Sequence, residues 1–407
     1  MGDMSSEKMT GGWNGRREER PVRVLLFTDS DAFAGTERHM LDLARGLRGA
    51  GAEAGIACPG ASPLAVRARE EGIKVVPIEK RGFVDWNAVW ILRKRLRAGE
   101  LEVIHAHNGR TALAATLAVK LSARGRCVLT QHFLEPTRAL RRGPKALLSK
   151  AMHRWISRSA GHTVAISEAV RAGICERGEA AGDKITVVPN GIATPVAEKL
   201  TPPGEMRAAL GIAAEAQLIV CAARLEQEKD VRSLVAAMPG IVAAAPDAVC
   251  VIAGEGSQRA ALEAQIGALG LAGSIRLLGF REDALSLIQA ADIFVLPSLA
   301  EPFGLVLIEA MALGRPVIAT RAGGPREIVE ENVTGLLIPP GDPAALARAM
   351  QLLLKDKVLR IGMGQRGHER FEERFTAARM AQETLLIYRK VCDEFNQPNQ
   401  GVARTAL

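Results

Sequence analysis

Short, uninterrupted apolar runs recur along this chain, and nearly every one is followed by a stretch whose apolar positions repeat with helical spacing. The first run, Val22 to Phe27, predicts a buried strand, and the pattern from Glu37 to Leu47, closed by Gly49 and Gly51, predicts a helix. Strands are expected next at Glu53 to Cys58, Lys74 to Ile78, Val103 to His107, Val128 to His132, Thr163 to Ile166 and Ile185 to Pro189. Helices are expected between them at Pro63 to Glu71, Asp85 to Arg97, Thr111 to Leu121 and Pro144 to Arg158. The alternation restarts at Gln217 to Ala223 and runs through Ala248 to Ala253, Ile275 to Leu278, Ile293 to Pro297, Pro316 to Thr320 and Gly335 to Ile338, with helices from Pro343 and from Thr376 to Cys392. Strands that are apolar at every position, each followed by a helix, imply parallel sheets covered on both faces.

The break between the two series falls at Asn190-Gly191 and the polar stretch holding Pro195, Pro202 and Pro203. The expected architecture is therefore α/β, with two Rossmann-like, doubly wound domains facing a central cleft. Its parts are a polar lead-in (1–20), a first domain (21–190), a linker (191–203), a second domain (204–375), a terminal helix (376–392) and a tail (393–407). At 407 residues the chain exceeds the usual single-domain range. Six scattered cysteines with no Cys-x-x-Cys pair read as reduced core thiols of a cytoplasmic protein. No apolar stretch approaches the roughly 18–20 residues needed to span a bilayer. The net charge of +8 suits an acidic partner: anionic lipid, nucleic acid or a phosphorylated substrate. Nucleic acid is the poorest of these, because aromatics available for stacking make up only 4% of the chain.

Ligands in such sheets bind beyond the C-terminal ends of the strands, and the residues there form a short list. Ala34-Gly35-Thr36 opens the first helix, either as a backbone cradle for phosphate or as an ordinary tight turn with Thr36 as cap. Gly-x-Gly-x-x-Gly is absent, which argues against a dinucleotide oxidoreductase. Arg224 and Lys229 follow a strand and can clamp a diphosphate, unless Glu226, Glu228 and Asp230 pair with them as a solvated cluster. Gly254 and the pair Phe280-Arg281 follow the next two strands. The loop Ser298 to Leu305 carries Glu301, Phe303 and Gly304 and leads into a helix bearing Glu309. A helix start after a buried strand favours anions. Glu301 in a loop and Glu309 within the helix do not suit the opposed carboxylates of a glycosidase. One more plausibly holds sugar hydroxyls and the other a ribose, and Glu309 in its apolar setting needs a partner. His105 and His107 alternate at a strand end, but no further ligand at metal-binding spacing completes a set, so no metal is expected. His132 is better placed to touch a substrate. Residues 138–158 combine Arg138, Arg141, Arg142, Lys145, Lys150, Arg154 and Arg158 with an apolar stripe through Leu147, Leu148, Ala151, Met152 and Trp155. Such a helix either lies on an anionic membrane surface or turns Leu147 and Trp155 into the core.

Several of these motifs together resemble the retaining GT-B glycosyltransferases of group 1 (family 4). They are Arg224-Leu225 with Lys229, Gly254-Glu255-Gly256, Leu278-Gly279-Phe280, Glu301-Pro302-Phe303-Gly304 with Glu309 (Glu-x7-Glu), Gly314-x-Pro316, and Gly323-Gly324 with Glu327. Val188-Pro189-Asn190-Gly191 fits the domain junction, and Gly35-Thr36-Glu37-Arg38, His105-x-His107 and Thr130-x-His132 fit the first half more loosely. Ala34 departs from the pattern, standing where a second glycine is common.

The resemblance implies a nucleoside-diphosphate sugar as donor and no cofactor. Arg224 and Lys229 would neutralise the diphosphate, the amides of Phe303, Gly304 and Leu305 would hold its distal phosphate, and Gly35 would approach it from the acceptor-side first domain. Glu309 would bind the ribose, Glu301 the donor sugar, His132 would sit near the transferred sugar, and the base would lie near Phe280 and Arg281. The terminal helix would cross back onto the first domain. With the basic helix, this suggests a saccharide or lipid-linked acceptor of the cell envelope and a peripheral position at the inner membrane face. A sugar-nucleotide epimerase of the same fold and a non-catalytic sugar-nucleotide-binding module are the alternatives.

Overall fold

The computed structural model describes residues 20–82, 84–134 and 144–396. The first half runs β1 (Arg23–Phe27), α1 (Gly35–Gly49), β2 (Glu53–Cys58), α2 (Pro63–Glu70), β3 (Lys74–Pro77), α3 (Trp86–Arg97), β4 (Val103–Ala106), α4 (Gly109–Ser122), β5 (Arg126–Gln131), α5 (Pro144–Ser159), β6 (His162–Ala165), α6 (Glu168–Glu176) and β7 (Ile185–Val187). The second continues through α7 (Pro203–Ala209), β8 (Leu218–Ala222), α8 (Val231–Ala244), β9 (Val249–Ala253), α9 (Arg259–Ala268), β10 (Ile275–Gly279), α10 (Ala284–Ala290) and β11 (Ile293–Leu296). After these come α11 (Leu305–Ala312), β12 (Val317–Thr320), α12 (Pro325–Ile328), β13 (Gly335–Ile338), α13 (Pro343–Lys355), α14 (Lys357–Arg374) and α15 (Ala377–Asn396).

Two all-parallel sheets result, with strand orders β3-β2-β1-β4-β5-β6-β7 and β10-β9-β8-β11-β12-β13. Each reverses direction of growth once, between β1 and β4 and between β8 and β11. Strands buried on both faces explain the unbroken apolar runs: Leu26, Ile56, Ile219 and Val295 are all fully enclosed. Each such side chain contributes about 1.5–3 kcal/mol of burial. The first sheet has a core on either face, one of them built with Met380, Ala381, Leu385 and Tyr388 of α15. A third core crosses between the halves, joining Ile166, Val170 and Ile174 to Phe294, Phe303 and Phe375.

The chain crosses between the halves twice, and the crossings lie together. Ile192 N–H donates to the Phe375 carbonyl at 3.0 Å and Ala377 N–H to the Ile192 carbonyl at 2.8 Å. A Cβ on Gly191 would collide with the Thr376 carbonyl, which is why glycine stands there. The stretch expected as linker (191–203) ends on Pro203, which opens α7 at its first position. Helix α6 was not expected; Ser167 starts it by accepting from Val170 N–H at 3.1 Å. The pattern from Pro343 divides into α13 and α14 at Asp356, whose carboxylate accepts from Leu359 N–H at 2.9 Å.

Candidate functional site

The two switch points face one another. From β1 the chain enters α1 at Gly35, and from β11 it enters α11 at Leu305, and a Cβ on Gly35 would lie 3.4 Å from Leu305 Cδ1. Two helix N-termini therefore converge on one place, each bringing unpaired amides and a partial positive charge. Gly304 makes the turn into α11 with φ +110°, a conformation that glycine alone adopts without strain. Thr36 is not the cap of α1. Ala34 N–H donates instead to the Glu37 carboxylate at 2.9 Å.

Several residues expected at the donor have charged partners, and Lys229 and Glu301 hold each other. Lys229 Nζ lies 2.6 Å from Glu301 Oε2, with both side chains largely enclosed. Ser298 Oγ donates to the same oxygen at 3.1 Å. Arg224 pairs with Glu228 at 2.6 Å in an exposed setting, the solvated pairing that the sequence left open. Such a surface pair is worth about 0–1 kcal/mol, so it yields readily to a better anion. Glu309 is buried in α11 and is met by Arg38 of α1, 2.8 Å away across the cleft. Phe303 is buried, whereas Phe280 is 71% exposed beside Arg281, which is held by both oxygens of Asp283. Gly254 has φ +148°, and a Cβ there would strike the Ala223 carbonyl just before Arg224; the glycine lets the ends of β8 and β9 approach. Across the domain junction, Glu327 accepts from Glu168 and Ala169 N–H at 2.8 and 3.1 Å, capping α6 from the other half.

The histidines depart from the sequence argument. His39, on the amphipathic face of α1, lies beside His107 and His132, and ligand atoms of all three lie within 4.8 Å of one another. The spacing test found no third ligand because one comes from a helix early in the chain and the others from two strand ends. His107 Nδ1 and His132 Nε2 are 3.1 Å apart, and His105 is held between Tyr388 and Thr130 at 2.6 Å on each side. Burial pushes His39 down to about 4, with Asn190 opposing, and His105 down to about 3, with His39 adding to the effect. His107 and His132 are held well below the usual range, first by burial and then by their neighbours. Burial and the neighbouring rings favour the neutral imidazole throughout the cluster, so His132 is suited to hydrogen bonding rather than to carrying charge.

On α5, Leu147 and Leu148 are 70% and 73% exposed, and Trp155 is 41% exposed with Lys120 Nζ 5.5 Å from its ring centroid. The inward side is Ile156. The core-facing role considered for Leu147 and Trp155 is thus not what the fold gives them. Arg138, Arg141 and Arg142 lie outside the described residues, as does the side chain of Lys145. Among the described residues, no helix is long and apolar enough to cross a membrane.

Comparison with known proteins agrees with this arrangement on both sides of the cleft. Residues 204–370 match the family model described as glycosyl transferases group 1, and residues 33–195 match that described as glycosyltransferase family 4. The phosphatidyl-myo-inositol mannosyltransferase of Mycolicibacterium smegmatis is 30% identical over 373 residues, 89% of this chain and 91% of that protein. An alpha-maltose-1-phosphate synthase of Mycobacterium tuberculosis is 30% identical over 313 residues, 72% and 80% of the two chains. The crystal structure of Anabaena HepE in complex with UDP superposes with a TM-score of 0.76 at 21% identity, covering 91% of this chain and all of that one. The chain belongs to the group 1, family 4 glycosyltransferases and has their GT-B fold.

Proposed function

We propose that the protein transfers a hexose from a nucleoside-diphosphate sugar to an acceptor hydroxyl with retention of configuration, the acceptor being a lipid-linked or cell-envelope saccharide. The observation that carries this reading is the convergence of the α1 and α11 N-termini on one point, with Lys229 held to Glu301 beside the entry to α11. Like partial charges aimed at each other are unfavourable unless an anion lies between them, and a diphosphate supplies it. Lys229 and Arg224 then balance the charge that grows on the leaving diphosphate, so the reading requires no divalent metal. Glu301 turns from Lys229 to the sugar hydroxyls, Glu309 takes the ribose, and neutral His132 bonds the transferred sugar.

The acceptor hydroxyl attacks on the face from which the diphosphate departs. The glycosidic oxygen–carbon bond to phosphate breaks as the new one forms, and the acceptor proton passes to the leaving phosphate oxygen. Glu301, tied to Lys229, is not assigned as nucleophile.

The acceptor class rests on the exposed Leu147, Leu148 and Trp155 beside Lys120 and Lys150, a surface suited to an anionic bilayer from the cytoplasmic side. It also accords with the phosphatidyl-myo-inositol named for a relative. A panel of nucleotide sugars assayed for protection against thermal unfolding tests the donor, with UDP-sugars first because HepE is described with UDP. Protection by one nucleotide family is expected, together with loss of turnover in Arg224→Ala. No protection by any member, or normal turnover in that variant, rules the reading out.

A further inference from the structure

Glu309 sits in the first two turns of α11, 3% exposed, within the second domain. Its partner comes from the other domain: Arg38 Nη1 of α1 lies 2.8 Å from Glu309 Oε1. From this ion pair we infer that Arg38 is a positioning residue for the donor ribose, fixing the Glu309 carboxylate from across the cleft so that ribose is read only when the two domains are apposed. The inference rests on the assignment of Glu309 to the ribose.

The physical case begins with the cost of the carboxylate. A buried carboxyl with no partner takes up a proton, and it then loses charge and acceptor capacity together. Burial does push Glu309 up, Arg38 opposes that, and Asp42 adds to it. Asp42 lies one turn further along α1, buried, with Arg45 at 2.6 Å. Arg38 therefore stands between two buried carboxylates on facing elements, its own side chain 37% exposed. On the other side of α11, His368 of α14 reaches only the Ala312 carbonyl at the helix end, at 2.9 Å. Arg38 is thus the cation in place to keep Glu309 an acceptor. Its planar fork fixes one oxygen and leaves the second to receive a hydroxyl. Because the two groups ride on different domains, separation of the domains removes the counter-charge and the ribose site weakens with it.

The test compares the affinity of the protecting nucleoside diphosphate with that of its 2′-deoxy counterpart, by calorimetry between pH 6 and 8.5. It uses the full-length wild type, Glu309→Gln, Arg38→Met and Arg38→Lys. Wild type should prefer the ribo form, and Glu309→Gln should lose that preference. Arg38→Met should bind the ribo form about tenfold more weakly at the acid end of this range, the deficit shrinking as rising pH favours the carboxylate, while Arg38→Lys stays close to wild type. If Glu309→Gln keeps the ribo preference, the ribose assignment itself fails. If Glu309→Gln loses it while Arg38→Met keeps both preference and pH profile, the inference about Arg38 is overturned. Equal weakening of both nucleotides at every pH also overturns it, because that pattern belongs to the diphosphate or to a purely structural link.

Discussion

Lys229 and Glu301 hold each other at 2.6 Å, although one is assigned to the diphosphate and the other to the sugar it carries. Removing one strands the other. Lys229→Ala leaves a nearly enclosed carboxylate without its cation, and breaking a buried pair in this way costs about 3–5 kcal/mol. Arg224→Ala removes an exposed pair, for which a change within about 0.5 kcal/mol is expected. Both variants should lose turnover, but urea unfolding should separate them: a lower midpoint for Lys229→Ala and an unchanged one for Arg224→Ala. The histidines give a second residue-scale prediction. His39 and His105 are depressed to about 4 and about 3, so the unfolded chain binds more protons than the folded one below pH 6.5. Their contribution is complete above that pH and is lost as pH falls toward those values, at up to about 1.4 kcal/mol per pH unit for each group. Denaturation midpoints measured from pH 7 to 4.5 should fall less steeply for His39→Asn than for wild type. Equal slopes would remove His39 from the acid response.

At the scale of elements, the strands were the most legible part of the chain, since burial on both faces leaves no polar position to blur the run. Helix ends were harder, and α6 was missed because it is short and begins on a Ser167 that also bonds the Pro302 carbonyl at 2.7 Å in the other half. Its one local mark is the serine cap followed by Glu168, which a nine-residue helix does not reinforce with a longer periodic pattern. The same limit hid Arg38 and His39. Both lie in a stretch that reads as an ordinary amphipathic helix, and their roles depend on what the fold brings opposite them. Glycines with local reasons were easier: Gly304 at the loop-to-helix turn was singled out from the sequence and takes a positive φ. Gly191 was read as part of a linker, but its constraint comes from Thr376. Gly191→Ala should force the paired crossings apart and cost about 1–3 kcal/mol, as overpacking does. Differential scanning calorimetry would register this as a lower Tm, and an unshifted Tm would show that the crossings tolerate the methyl group.

The whole molecule presents one further face, the exposed Leu147, Leu148 and Trp155 with the basic residues around them. Sedimentation with vesicles containing anionic lipid should carry the protein down at low salt, and Leu148→Glu with Trp155→Glu should leave it in the supernatant. Binding unchanged by that pair of substitutions would move the contact elsewhere. The sequence also made two domains legible, through the restart of the strand–helix alternation.

The return of α15 to the first sheet has a consequence for synthesis. Tyr388 and its neighbours complete a core begun by Leu26 and Met40. A nascent chain therefore carries one core of the first domain incomplete until α15 emerges, while the intervening second domain already has all its strands. The first domain is thus expected to finish folding after the second, against the usual vectorial order in which the N-terminal domain folds first. Chains arrested after Phe375 should give a protease-resistant second domain and a cleavable first one, and only release of the final helix should protect both.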